Sequence, residues 1–366
     1  MNQLMPTPRP GIMSIKPYVG GESRLAGIER VIKLSSNEGA LGPSPKAVAA
    51  YHQAAEVMHR YPDGHASRLR AALAERWGLE ADRIVCGNGS DDLLILLSRA
   101  YAGPGDEVLY SEHGFGIYPI AAQSGGATPV TAPETDLTAS VDALLARVTK
   151  ATRVLFLANP NNPTGTYLTS QELRRLHAGL PPDVLLVLDA AYSEFVQRND
   201  YEDGSALVRS FDNVVMTRTF SKIFGMGGLR LGWAYCPPAV ADVLNRIRGP
   251  FNASSAALAA GEAALADTAF LELAQRHNAY WRDWLEGEVT RLGLTPVPRG
   301  VGNFVLVGFP RAEGKNAAAA DSFLRGKGII VRQVKSYGLP DHLRITIGRE
   351  DEMRAVAKAL AEFVGG

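Results

Sequence analysis

The chain has 366 residues, 46% of them hydrophobic and 21% charged, a balance that suits about two packed domains and excludes a largely disordered chain. Lys+Arg and Asp+Glu number 38 each, and zero net charge argues against nucleic-acid binding by bulk charge. Only Cys86 and Cys236 are present, far apart, which excludes a disulfide framework or a zinc ligand set and fits a reducing cytoplasm with both thiols buried. No apolar run reaches the ~18 residues of a membrane helix, so no membrane partner is expected, and no metal site is indicated.

Residues 1–30 read as an irregular arm, punctuated by Pro6, Pro8, Pro10, Pro17 and Gly20–Gly21. The arm lacks the apolar stretch of a signal peptide. Helices follow at Pro45–Met58, with Ser44 as N-cap and proline at the first position, and at Ser67–Trp77. Seven β-rich runs come next: Ile84–Cys86, Glu107–Tyr110, Ala127–Thr131, Arg153–Ala158, Val184–Leu188, Val214–Thr217 and Leu231–Tyr235. Helical windows near Asp91–Ala100, Ile117–Ser124, Val141–Val148 and Ser170–Gly179 separate them. This alternation predicts an α/β fold, with a largely parallel sheet covered on both faces. The helical stretch Ser254–Leu292 is too long for one ordinary helix and predicts a bend between two domains. Strands at Phe304–Val307, Ile329–Arg332 and His342–Thr346, with helices at Ala317–Arg325 and Glu350–Phe363, predict a smaller α+β domain. The expected division is an arm over 1–30, a large domain over 31–250, and a linking helix with the small domain over 251–366.

Four polar signals sit at the ends of predicted strands, where open α/β sheets bind ligands. Gly87-Asn88-Gly89-Ser90-Asp91-Asp92 opens a helix, so Ser90 or Asp91 can cap it while free N–H groups hold an anion such as phosphate. An ordinary strand-to-helix turn is the competing reading. Asn159-Pro160-Asn161-Asn162-Pro163-Thr164-Gly165 is a rigid turn able to present an Asn amide. Asp189 ends an apolar run, as a helix N-cap or as a carboxylate facing a ligand's positive charge. Thr219-Phe220-Ser221-Lys222, with Arg230 beyond a glycine-rich stretch, joins an amine to an anion cradle, although a lone lysine is usually a surface charge. Together these groups suit pyridoxal phosphate, which needs an amine, a carboxylate for its ring nitrogen, donors for its phenolic oxygen and a phosphate cradle.

With Leu34-Ser35-Ser36-Asn37-Glu38, Arg60-Tyr61-Pro62-Asp63-Gly64 and Leu343-Arg344-Ile345-Thr346 added, the motifs run in family order along nearly the whole chain. The chain resembles the pyridoxal-phosphate-dependent transferases of fold type I, within the aspartate aminotransferase superfamily, and more closely the histidinol-phosphate aminotransferases. The resemblance implies a mostly parallel seven-stranded sheet in the large domain and a smaller α+β domain. It implies Lys222 as the Schiff-base lysine and proton shuttle, Asp189 at the pyridine nitrogen, and Asn162 and Tyr192 at the phenolic oxygen. Gly89, Ser90, Asp91, Thr219, Ser221 and Arg230 match the phosphate cradle. Tyr61 matches a residue reaching that phosphate from a neighbouring subunit, which implies a homodimer with shared sites. Arg344 matches the arginine that grips the substrate's anionic group, while Tyr18, Asn37, Asn162 and Arg332 complete the substrate contacts. Phe115 stands at the ring-stacking position, usually tyrosine, and His113 beside it reads as a loop residue. The run Ala253-Ser254-Ser255-Ala256 also departs from the family pattern, on its substrate side. The implied reaction is transamination of L-histidinol phosphate with 2-oxoglutarate, in histidine biosynthesis. An aromatic amino-acid aminotransferase and a decarboxylase of a phosphorylated amino acid stay open as alternatives.

Overall fold

The computed structural model describes residues 6–298 and 300–365, so residues 1–5 of the expected arm lie outside the described residues. The larger sheet has seven strands in the order Ile84–Gly87, Gly232–Tyr235, Val214–Thr219, Leu185–Asp189, Thr152–Ala158, Glu107–Ser111 and Thr128–Ala132. Gly232–Tyr235 alone runs antiparallel to its neighbours, and the other pairings are parallel. All seven coincide with β-rich runs read from the sequence. Their apolar continuity has a direct cause, because helices cover both faces. Leu155, Leu157, Leu186 and Leu188 pack on one side with Leu173 and Leu176 of helix Ser170–Gly179. Val154, Phe156, Leu185 and Val187 pack on the other with Leu93, Leu94 and Leu97 of helix Ser90–Tyr101. Successive residues of a strand point to opposite faces, so the central strands carry apolar residues on both sides.

A second sheet has five strands, ordered Ile32–Leu34, Ile329–Gln333, His342–Thr346, Phe304–Gly308 and Thr295–Pro296. Helices Thr268–Arg291, Ala317–Gly326 and Glu350–Gly365 bury Trp281, Leu285, Leu324, Met353, Val356 and Leu360 against it. Ile32–Leu34 pairs in parallel with Ile329–Gln333. This pairing makes Ile32–Leu34 an outer strand of the five-stranded sheet. Three residues are too few to show a strand period, and their partner lies almost the whole chain away. The long helical stretch divides into Ser255–Leu265 and Thr268–Arg291, with the break at Ala266–Asp267. Helix Pro238–Ile247, which starts on a proline, and the hairpin Glu134–Thr135 with Thr138–Ala139 are further elements. Cys86 and Cys236 are both free and buried. Among the described residues no helix is long and apolar enough to cross a membrane.

Candidate active site

A cleft of about 190 Å³ opens between the C-terminal ends of the large sheet and the second sheet. Tyr18, Asn37, Ser90, Asp91, Phe115, Asn162, Asp189, Tyr192, Thr219, Ser221, Lys222, Arg230, Arg332 and Arg344 all line it. Of the expected residues, Gly89 underlies the cleft wall and Tyr61 lies outside it. Tyr61 is 82% exposed and stacks on Phe251, with ring centroids 4.8 Å apart.

The anion cradle comes from close backbone approach. A Cβ on Gly89 would stand 2.5 Å from Arg230 Nη2, and one on Gly232 would stand 2.3 Å from Ser90 N. Glycine at both positions lets the guanidinium and the adjacent strand reach the turn, and Gly89 holds φ 91°. Helix Ser90–Tyr101 has no side-chain cap, which corrects the expectation that Ser90 or Asp91 supplies one. Asp92 instead accepts a hydrogen bond from Asn88 N at 3.0 Å. The first amides of the helix therefore stay available to an anion at its positive end. Arg230 Nη1 donates to Ser221 Oγ at 3.3 Å, and Ser221 N donates to Thr219 Oγ1 at 3.0 Å. Arg230 Nη2 also lies 3.5 Å from Asp91 Oδ2.

Asp189 ends its strand beside Val214–Thr219, so a strand–loop path leads from it to Lys222. Its Oδ2 accepts from the Tyr118 hydroxyl at 3.0 Å and its Oδ1 from Thr217 Oγ1 at 3.5 Å. Burial pushes the carboxyl up to about 6, against the pull of these donors. Among the described residues no basic side chain pairs with Asp189, so the carboxylate could accept a cation such as a protonated ring nitrogen. Burial first, and the Arg344 guanidinium second, lower the Lys222 amine to about 8, against the opposing charge of Asp91. An amine at that value is nucleophilic near neutral pH. Lys222 Nζ stands 5.6 Å from the centroid of the Tyr192 ring. Burial holds the Tyr192 hydroxyl up at about 12, so it stays protonated, and it accepts from Asn37 Nδ2 at 2.9 Å.

Arg344 is 5% exposed. It donates through Nη1 to Asn162 Oδ1 and through Nη2 to Ser35 O at 2.8 Å, while its Nε is buried with no partner. Arg332 donates to Val19 O at 2.7 Å and Gly20 O at 2.8 Å, which clasps the arm beside the cleft. Tyr18, in that arm, meets Phe115 edge-on at 6.5 Å. His113 lies in a turn, as expected, and is buried there, with Nδ1 2.8 Å from Glu134 Oε2 and its amide donating to Oε1 at 3.2 Å. Its carbonyl accepts from Asn161 Nδ2 at 3.1 Å, which ties the Phe115 loop to the Asn162 turn. Ser254 caps helix Ser255–Leu265 and lies near Tyr61 and Phe251, outside the cleft. Sequence reasoning missed Tyr118, although it ends the segment that carries Phe115. It also missed Ser35 and Gly21, whose contribution comes from a backbone carbonyl and a close approach.

The amine, buried carboxylate, phenolic donor and anion cradle thus converge as pyridoxal phosphate requires. The family model "Aminotransferase class I and II" matches residues 29–360. The histidinol-phosphate aminotransferase of Paramagnetospirillum magneticum is 65% identical over 98% of this chain and 99% of the relative. That of Rhodospirillum centenum is 60% identical over 99% of each. The crystal structure of histidinol-phosphate aminotransferase from Sinorhizobium meliloti, in complex with pyridoxal-5'-phosphate, superposes with a TM-score of 0.91 at 31% identity, over 98% of this chain and 97% of that one. Cleft, fold and full-length similarity agree, and the chain belongs to the class I and II aminotransferases.

Proposed function

We propose that this chain uses pyridoxal phosphate to transfer the amino group of L-histidinol phosphate to 2-oxoglutarate, yielding imidazole acetol phosphate and glutamate for histidine biosynthesis. Like its relatives' names, the cluster of Arg332, Arg344 and Tyr18 around one cleft supports this donor. Two guanidinium groups suit a phosphate ester, and a planar fork binds phosphate or carboxylate through paired hydrogen bonds.

When bound, the cofactor supplies an electron-withdrawing ring that accepts charge from the donor's α-carbon. The chain's residues supply the rest. Lys222 Nζ would hold the cofactor through its aldehyde and, when released, would take up the donor's α-proton, for which an amine near 8 is suited. Asp189, held by Tyr118 and Thr217, keeps the ring nitrogen protonated. Tyr192 and Asn162 would hold the phenolic oxygen, and Phe115 would stack on the ring. The amides of Gly89, Ser90 and Asp91, with Thr219, Ser221 and Arg230, hold the cofactor phosphate. Arg344, Arg332, Tyr18, Asn37 and Asn162 hold and orient the substrate. Tyr61 completes the phosphate site of a second copy, giving a homodimer with shared sites, and its exposure outside its own cleft supports this role. The cytoplasm is the proposed compartment.

The test is kcat/KM with 2-oxoglutarate as acceptor, comparing L-histidinol phosphate with phenylalanine and tyrosine. A large preference for the phosphate ester is expected. A preference for the aromatic acids would overturn the donor assignment and leave an aromatic aminotransferase, with Arg344 gripping a carboxylate.

A further inference from the structure

We propose that Thr346 is a positioning residue that sets the direction of the Tyr192 phenolic proton through the side-chain amide of Asn37. The proposal rests on the aminotransferase reading of the cleft given above. Asn37 is 1% exposed and Thr346 3% exposed, so neither side chain exchanges its partners with water. Asn37 holds a left-handed φ of 54°, which asparagine tolerates better than most residues.

The argument follows donors and acceptors in turn. The Asn37 backbone N–H donates to Thr346 Oγ1 at 3.0 Å. The Thr346 hydroxyl is then an acceptor for that bond, and its own proton goes to Asn37 Oδ1 at 3.2 Å. The two ends of an asparagine amide have nearly the same shape, so their partners decide which end faces which way. With Oδ1 held by Thr346, the NH₂ end faces Tyr192 and donates to its hydroxyl at 2.9 Å. A phenol carries one proton. Because Tyr192 accepts from Asn37, that proton is left to donate into the cleft that Tyr192 lines. Without the Thr346 hydroxyl nothing opposes rotation of the amide. The Asn37 carbonyl then accepts the Tyr192 proton, and the donor is withdrawn from the cleft.

Thr346 and Arg344 are two residues apart on strand His342–Thr346, so both side chains lie on one face of the second sheet. One short strand thus presents the anion-gripping guanidinium and the hydroxyl that orients the cleft's phenolic donor. Arg344, Asp189, Asp91 and Lys222 also face Tyr192, and none of them is changed by the variants below.

The experiment uses the cofactor-loaded enzyme and four variants: Thr346→Val, Thr346→Ser, Tyr192→Phe and Tyr192→Phe/Thr346→Val. The primary readout is the pH midpoint of the bound cofactor's visible absorption, taken without amino donor. A donor at the cofactor's phenolic oxygen favours the form in which that oxygen carries more negative charge, so its loss raises the midpoint. Thr346→Val is expected to raise it by about one pH unit and to lower kcat/KM about tenfold, the worth of one hydrogen bond. Thr346→Ser keeps the hydroxyl and is expected to restore both values. In the Tyr192→Phe background, Thr346→Val is expected to add no further shift. A wild-type midpoint in Thr346→Val, an equal shift in Thr346→Ser, or a full additional shift in the Tyr192→Phe background would each overturn the proposal. Thr346→Ala carries the same expectation should valine fail to fold. The midpoint needs no substrate, so failure of L-histidinol phosphate as donor overturns the substrate assignment and leaves this test intact.

Discussion

Replacing Arg218 by methionine tests how the floor of the cleft is held. Arg218 lies between Thr217, which contacts Asp189, and Thr219 of the anion cradle, and its side chain is 4% exposed. Its Nε and Nη2 donate to Glu194 Oε1 at 3.0 and 2.7 Å, and Nη1 donates to Asp203 Oδ2 at 3.3 Å. The guanidinium carbon lies 4.2 Å from the centroid of the Trp77 ring and 5.4 Å from that of Trp233. Methionine fills much of this space but leaves Glu194, also 4% exposed, as a buried carboxylate without its cation. Breaking a buried pair from one side costs about 3–5 kcal/mol. That is a shift of roughly 10²- to 4 × 10³-fold in the unfolding equilibrium, at about 1.4 kcal/mol per tenfold. Urea unfolding followed by tryptophan fluorescence reads the loss, because Trp77 and Trp233 flank the site. The double variant Arg218→Met/Glu194→Gln removes both charges and is expected to lose less than the single variant. A single-variant loss under about 1 kcal/mol, the worth of an exposed pair, would refute the reasoning. So would a double variant no more stable than the single one.

Lys222→Ala is expected to keep the far-ultraviolet circular dichroism of the wild type and lose turnover by orders of magnitude. Wild-type turnover would remove the lysine from the mechanism. Arg344→Lys keeps the charge but loses the fork held by Asn162 and Ser35; steady-state kinetics should show kcat/KM falling by about 10–100-fold, as expected for lost charge-assisted hydrogen bonds. The hydrogen bond that His113 donates to the Glu134 carboxylate holds the imidazole above its ordinary 6.5, against the effect of burial. A raised folded value means this pairing stabilises the protein fully below the ordinary histidine range and fades as pH rises through the folded value. His113→Gln should therefore cost more stability in denaturant unfolding at about pH 6 than at about pH 9. An equal cost at both would contradict the ion pair.

All seven strands of the large sheet were legible as β-rich runs, most of them largely apolar because helices cover both faces of the sheet. The turns after Cys86 and Ala158 were legible too, since glycine permits a tight turn and proline restricts the backbone locally. Lys222, Asp189, Ser90, Arg230 and Arg344 could be named because their chemistry is uncommon at such positions and their order follows a family pattern. Ile32–Leu34 was not legible as part of the small sheet, since its pairing with Ile329–Gln333 depends on contact across the chain. The Tyr118 bond to Asp189, the Glu134 clamp on His113 and the Thr346–Asn37–Tyr192 relay were likewise hidden. Each joins residues apart in sequence through side-chain hydrogen bonds, and local pattern carries no information about which distant partner a buried polar group will meet. Residue type and spacing thus settled which chemistry the chain carries, and folding alone settled which groups aim it, because hydrogen-bond direction is a property of three-dimensional packing.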